Sequence, residues 1–199
     1  MKQVEESVFE FTNKLAAHAP VPGGGGAAAL IGSLAAALCS MTGHYSQGKP
    51  RAQGHEDELS AALKTAENMR LQLIALVDAD AEAFAPLAAA WKQPEDKAAL
   101  EEATLNACLA PMGMLQCCHT LLPALETMRA YGSKQMQSDV GCATSALAAA
   151  LECAGMNLLV NSRTLADGKI MERQLLDMLD ADLPRARTIA QDVLTELRS

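Results

Sequence analysis

Three places carry polar groups or backbone irregularities where the surrounding pattern does not call for them. The first is Asp80, in the run Leu76-Val-Asp-Ala-Asp-Ala-Glu-Ala-Phe84. On a helix, the residues three, four and seven positions from Asp80 are Leu73, Leu76, Val77, Ala83, Phe84 and Leu87, all apolar. Asp80 therefore shares the hydrophobic stripe, whereas Asp78 and Glu82 share a wetter face. A carboxylate placed in a core without partners is costly, and its pKa should rise. Such a group suits general acid/base work. The plainer alternative is a buried aspartate satisfied by hydroxyls or by backbone at the end of a neighbouring helix.

The second place is the stripe Asp139, Cys142, Ala143, Ala146, Ala150, Cys153, Asn157 and Asn161, at three- and four-residue steps. It is small and apolar in the middle and polar at its ends. Asn157 and Asn161, one turn apart, can present two amides to a ligand or bond a neighbouring helix. Asp139 falls in a first turn, where a negative charge suits the helix dipole whether or not a ligand is present. The third place is Pro20-Val-Pro-Gly-Gly-Gly-Gly-Ala27, just before a strongly apolar segment. Backbone N–H groups at Gly23, Gly24, Gly25 and Gly26 would be unpaired and closely approachable by an anion or a carbonyl. A tight turn between packed helices explains the same residues. No Lys-Ser/Thr pair follows the glycines and no strand precedes them, so a nucleotide loop is disfavoured. Lys49 and Arg51, in the next loop, could set positive charge beside an anionic ligand.

The elements that must position these groups are helical. Half of the 199 residues are hydrophobic but only 3% are aromatic, and the apolar content is mainly Ala, Leu and Met, which favour helices over strands. The spacing of Val4, Val8, Phe11 and Leu15 predicts a first helix over 2–18. The proline–glycine run breaks it, and a second helix, small or apolar all round and hence central, is expected from about Ala27 to Tyr45. Further helices are expected over about 56–91, from near Pro94 to Tyr131 with a kink or break at Pro111 and Pro123, over about 138–161 with Ser138 as cap, and over about 170–197. The expected architecture is all-α: one domain spanning 1–199, a single bundle of about six long helices, some kinked at prolines. Several helices carry more apolar surface than one small bundle needs, which points to a homodimer formed through helices.

Composition narrows the partners. The formal net charge is −8, the pI is near 5.0, and Lys and Arg are scattered, so nucleic acid is not an expected ligand. The six cysteines form no CxxC pair and the four histidines no HxxxH pattern; reduced thiols and no metal site are expected. The segment Ala27 to Met41 is short for a membrane span and interrupted by Gly32 and Ser33, and the N-terminus MKQVEES lacks the basic character of a targeting signal. A cytoplasmic protein with no membrane association is expected.

Taken in order, the motifs resemble those of the formimidoyltetrahydrofolate cyclodeaminase/methenyltetrahydrofolate cyclohydrolase family. Pro22-Gly-Gly-Gly-Gly-Ala27 followed by an Ala-rich helix is similar to the family's PGGGS-x-A-A signature. Gly48-Lys49, the Leu76–Phe84 segment, Pro111, Ser138-Asp-Val-Gly141 and Asn157-Leu-Leu-Val-Asn161 follow in the family's order. The resemblance covers nearly the whole chain. It departs where Gly26 and Ala27 stand for a serine, where no aromatic follows Gly48-Lys49, and where Ser133 or Lys134 stands for an asparagine. The resemblance implies an all-helical dimer acting on folate, with Asp80 as the catalytic acid/base. It also implies that Gly23 to Gly26, Lys49, Asp139, Asn157 and Asn161 line the folate site, with no cofactor beyond the tetrahydrofolate substrate.

Two reactions go with the family. Water attacks the 5,10-methenyl carbon to give 10-formyltetrahydrofolate, or N10 of 5-formimidoyltetrahydrofolate attacks the formimidoyl carbon and ammonia leaves. No formiminotransferase segment is present among these residues to supply the second substrate, which tilts the expectation toward the cyclohydrolase. A helical folate-binding module without catalysis is the rival from another class.

Overall fold

The structure is a computed structural model that describes residues 2–199. Its long elements are six helices: α1 (Val8–Ala16), α2 (Gly24–Ser46), α3 (Glu56–Ala90), α4 (Lys97–Tyr131), α5 (Gln137–Ser162) and α6 (Gly168–Glu196). Short 3-10 turns at Gln3–Glu5, Pro50–Ala52 and Lys134–Met136 complete it, and no strand occurs among the described residues.

Each helix starts and stops for local reasons. Helix α1 opens with a reciprocal capping box between Ser7 and Glu10. It is shorter than the expected 2–18, because Gln3–Glu5 forms a separate turn that leans on α3. Only Phe11 of its apolar residues is buried, and Val8 and Phe9 face outward. Asp96 caps α4 through Ala99 N–H, so Pro94 stands in the turn before the helix. Met136, not Ser138, precedes the first residue of α5. Gly48 and Gly54, at φ +69° and +81°, shape the loop between α2 and α3 in a backbone region that side chains disfavour.

The prolines do not divide the helices. Pro111 and Pro123 lie inside a continuous α4, as do Pro86 in α3 and Pro184 in α6. Pro111 has no N–H to offer the carbonyl of Ala107, four residues earlier. That carbonyl accepts instead from the Asn161 side chain of α5, Nδ2···O 3.0 Å.

Helix α2 sits at the centre, packed against α3, α4 and α5. Its neighbours run antiparallel to it: Gly25 meets Asp80, Gly32 meets Leu73 and Gly43 meets Leu63 on α3, while Gly24 meets Asn157 and Gly32 meets Ala150 on α5. The small residues let these helices close in; a Cβ on Gly32 would lie 3.1 Å from Leu73 Cδ2. Leu73, Met114, Leu115, Leu121, Leu125, Leu147 and Leu151 fill the space between them. Helix α2 is not buried all round. Leu34 and Tyr45 are 55% and 61% exposed on one side of it.

Helix α6 closes the bundle over α5 and α4. A fully buried Asp182 ties it down, accepting from Arg185 Nη1 at 3.2 Å and pairing with His119 Nδ1 of α4 at 2.7 Å. Helices α2, α4 and α5 each contain a stretch long and apolar enough to cross a membrane, and half or more of each such stretch is buried inside the bundle.

Candidate functional site

Helix α2 begins inside the glycine run rather than after it. Gly23 is the extended residue before the helix, and Gly24, Gly25 and Gly26 form its first turn. The reason lies on α3. An ideal Cβ on Gly25 would fall 2.0 Å from Asp80 Oδ1 and 2.5 Å from Oδ2. The carboxyl therefore occupies the place where any side chain at position 25 would begin. On the other flank, a Cβ on Gly24 would lie 3.4 Å from Asn157 Nδ2 and 3.5 Å from its Oδ1. The opening turn of α2 is thus held between a carboxylate from α3 and an amide from α5.

Leu73, Val77, Ala83 and Leu87 are buried beside Asp80 on α3, as the stripe required. Asp80 itself is half-buried. Loss of hydration pushes its pKa above the ordinary carboxylate value, and the Gly26 backbone N–H, which faces it, acts in the opposite direction. Both sequence readings of Asp80 are therefore present together: backbone at a helix end faces the carboxyl, yet desolvation dominates. A carboxyl so placed takes up a proton more readily than a solvated one and remains reachable from one side.

Asn157 is half-buried, and its Nδ2 donates to Cys153 O at 2.8 Å. This back-bond fixes the amide against Gly24. Asn161, one turn on, spends a donor on the carbonyl freed by Pro111.

The other expected site residues lie elsewhere in the chain. Lys49 is exposed, ahead of the Pro50–Ala52 turn beyond the far end of α2, about 30 Å from Gly25 at ~1.5 Å per helical residue. Asp139 is half-buried in the first turn of α5, eighteen residues before Asn157 and so ~27 Å from it. A single chain brings together Asp80, the glycine turn and Asn157, sets Asn161 one turn further along α5 against the Ala107 carbonyl, and leaves Lys49 and Asp139 at the opposite end.

The structure adds one residue that the sequence did not single out. Gln3 N–H donates to Asp78 Oδ1 at 2.7 Å, and Gln3 Oε1 is buried without a hydrogen-bond partner, 3.9 Å from where a Gly26 Cβ would be. The wetter carboxylate of the Asp78/Asp80 pair thus pins the N-terminal turn beside the glycine run. No spacing signal marks Gln3, because the contact is 75 residues long in sequence.

A groove of about 1120 Å³ runs between α5 and α6 past Cys142 and Thr188, and another of about 710 Å³ lies between α3, α4 and the start of α6. Asp80 lines neither.

Residues 7–179 match the family model described as formiminotransferase-cyclodeaminase. The chain is 33% identical to the methenyltetrahydrofolate cyclohydrolase of Methylorubrum extorquens over 181 residues, 87% of each protein. It is 28% identical to the formimidoyltransferase-cyclodeaminase of Rattus norvegicus, covering 98% of this chain and 38% of that longer one. Its fold matches the crystal structure of formiminotetrahydrofolate cyclodeaminase from Thermotoga maritima with a TM-score of 0.84 and 26% identity, over 97% of this chain and 96% of that one.

Proposed function

The chain belongs to the formiminotransferase-cyclodeaminase family, and from that membership together with the Asp80 geometry we propose that it hydrolyses 5,10-methenyltetrahydrofolate to 10-formyltetrahydrofolate. The observation that carries the reading is the desolvated Asp80 carboxyl seated on the bare Cα of Gly25, with a proton affinity raised by burial. The identity with the cyclohydrolase of Methylorubrum extorquens, spread over 87% of both chains, favours this reaction over its neighbour.

The chemistry asks for one proton-carrying group beside a cation. The methenyl carbon bridges N5 and N10 and bears positive charge, which a carboxylate stabilises. Water attacks that carbon; the new C–O bond forms as Asp80 takes a proton from the water. The resulting carbinolamine then collapses. Asp80 returns its proton to N5 as the C–N5 bond breaks, and the hydroxyl proton leaves to solvent as the formyl C=O forms on N10. The balance is one water consumed and one proton released, and Asp80 ends as it began. The scheme needs no organic group other than the folate itself. Asn157 and the glycine turn, which touch the same place, would hold the reacting ring.

The fold shared with the Thermotoga maritima cyclodeaminase supports a second reading. In it N10 of 5-formimidoyltetrahydrofolate attacks the formimidoyl carbon and gives up its proton. The same carboxyl passes a proton to the amine of the tetrahedral carbon, and the C–N bond to that amine breaks as ammonia leaves and the 5,10-methenyl bridge forms. Both reactions pass through a tetrahedral carbon between N5 and N10, so Asp80 serves either.

A homodimer formed through helices fits the apolar stripe Ala27, Ile31, Leu34, Leu38, Met41 and Tyr45 on α2, spaced at alternating threes and fours, and the exposed Met156 and Val160 on neighbouring α5. An antiparallel pairing over that stripe would lay the Lys49 and Asp139 end of one copy across the Asp80 end of the other. These two residues would join a folate site only in that way. We place the enzyme in the cytoplasm, where its folate substrate is available.

The deciding experiment follows methenyltetrahydrofolate absorbance with each candidate substrate, corrected for spontaneous hydrolysis, for wild type and Asp80→Asn. Accelerated loss of methenyl absorbance identifies the cyclohydrolase. Formation of methenyl with ammonia from the formimidoyl substrate identifies the cyclodeaminase. Either activity should collapse in folded Asp80→Asn. Folate binding without turnover in the wild type would refute the enzyme reading in favour of a binding module.

A further inference from the structure

We propose that the end of the bundle opposite Asp80 carries a second binding site, for a ligand bearing two or more phosphate or carboxylate groups. A cavity of about 680 Å³ opens there between the end of α4, the start of α5 and the end of α6. Arg51, Arg129 and Lys134 line it, with Glu196 as the acid among them. Three cations against one carboxylate leave the lining net positive in a chain whose formal charge is −8.

The two guanidinium groups are fixed in place before any ligand arrives. Arg51 Nη2 donates to Arg129 O at 3.0 Å and its Nη1 to Gly132 O at 3.5 Å, both at the carbonyl end of α4. These bonds orient the group without cancelling its charge. Arg129 Nη1 donates to Gln137 Oε1 at 2.9 Å, and buried Gln137 is itself held by its Nε2 donating to Met128 O and Ser133 O. Lys134 stands exposed on the rim. Planar guanidinium forks held this way suit the paired oxygens of a carboxylate or phosphate.

Glu196 is the group that now fills the role of such a ligand. Its carboxylate pairs with Arg129 Nη2, and the hydrogen bond from Arg129, with the charges of Arg129 and Arg51, holds its pKa below the ordinary value. It is the last residue of α6 and its side chain is 61% exposed. Exposed ion pairs of this kind hold weakly. A ligand with two or more negative groups can displace one carboxylate from a terminal helical turn and engage Lys134 as well. Within one chain the site lies ~30 Å from Gly25 along α2 and shares no residue with the Asp80 site, although the antiparallel dimer proposed above would bring it toward the Asp80 end of the other copy.

Inorganic pyrophosphate and citrate, titrated calorimetrically into the full chain against sodium chloride at matched ionic strength, test this. Saturable binding of either is expected, and whichever binds identifies phosphate or carboxylate as the ligand chemistry. Glu196→Gln should tighten binding about two- to fivefold, as loss of a competing surface ion pair allows. Lys134→Gln, a change on an exposed side chain, should weaken it by a similar factor. Asp80→Asn should bind like wild type, so a failure here is separable from a failure of the folate reading. Absence of saturable binding beyond the salt control, or affinities indifferent to both Glu196→Gln and Lys134→Gln, would overturn the proposal.

Discussion

Replacing the glycines of the α2 turn one at a time by alanine separates the site geometry from ordinary helix effects. At Gly25 the added Cβ would meet Asp80 Oδ1 at 2.0 Å, Cγ at 2.4 Å and Oδ2 at 2.5 Å. Ordinary contact requires roughly 1–1.5 Å more than this, so either the carboxyl leaves its seat or α2 shifts off α3. Overpacking of this kind costs about 1–3 kcal/mol. Alanine returns about 1 kcal/mol of helix propensity relative to glycine. The net loss of stability is then on the order of 0–2 kcal/mol, a fall of a few degrees in Tm. Activity should suffer far more, because displacing a catalytic group by about 1 Å costs roughly a hundredfold. Gly23→Ala is the control: its Cβ meets only Pro20 O, at 4.0 Å, and its turnover should stay within a few-fold of wild type. Gly26→Ala, whose nearest neighbours lie at 3.6–3.9 Å, should fold without crowding and serves as a control for the thermal melt alone. Steady-state turnover of methenyltetrahydrofolate with a parallel thermal melt reads both quantities. A Gly25→Ala protein that is folded and retains more than a tenth of wild-type kcat would refute the claim that the Asp80–Gly25 seat is where the chemistry happens.

Three other outcomes follow from the same structure. Because burial raises the Asp80 pKa, the folded state keeps a proton that the unfolded chain has already lost between the ordinary carboxylate value and the raised one. Stability falls as pH rises through that window, by about 1.4 kcal/mol for each pH unit the window spans. Asp80→Asn should melt at or above wild type at pH 7, with the gap closing at pH below the ordinary carboxylate value; an equal gap at both pH values would contradict the assignment. His119→Ala leaves the buried Asp182 with the single 3.2 Å bond from Arg185; urea unfolding should show a loss of about 1.5–3 kcal/mol, part of it recovered by adding Asp182→Asn. Leu34→Asp puts a charge in the middle of the exposed α2 stripe; the proposed dimer requires light scattering to report two chains for the wild type and one for the variant, and a monomeric wild type would refute it.

The helices are readable because Ala, Leu and Met repeat at helical spacing over long stretches, and Asp80 is readable because it interrupts one of those repeats. The start of α2 is not, since a glycine run reads locally as a break. Only the Asp80 carboxyl, more than fifty residues away, explains why helical backbone there must lack a side chain. Pro86 and Pro184 leave no readable mark for a related reason: packing by neighbouring helices carries α3 and α6 through a missing hydrogen bond that would end an isolated helix. Asp182 sits in a polar stretch with Asp180 and Arg185 nearby, so nothing in the sequence distinguishes a fully buried carboxylate from a solvated one. Resemblance alone groups Lys49 and Asp139 with Asp80, and chain order carries no distance; antiparallel packing of α2 and α5 puts them at the other end of the molecule.

The bond between Asn161 and the Ala107 carbonyl acts as a register lock. The surfaces of α4 and α5 are largely Ala, Leu and Cys, and such surfaces tolerate sliding, because one turn further along they look much the same. A slip of α5 by one turn, about 5.4 Å, would strand the carbonyl that Pro111 leaves without a donor and carry Asn161 away from it, unpairing two polar groups at once. The absent hydrogen at Pro111 therefore sets α5 lengthwise, and with it the level at which Asn157, one turn back, meets Gly24.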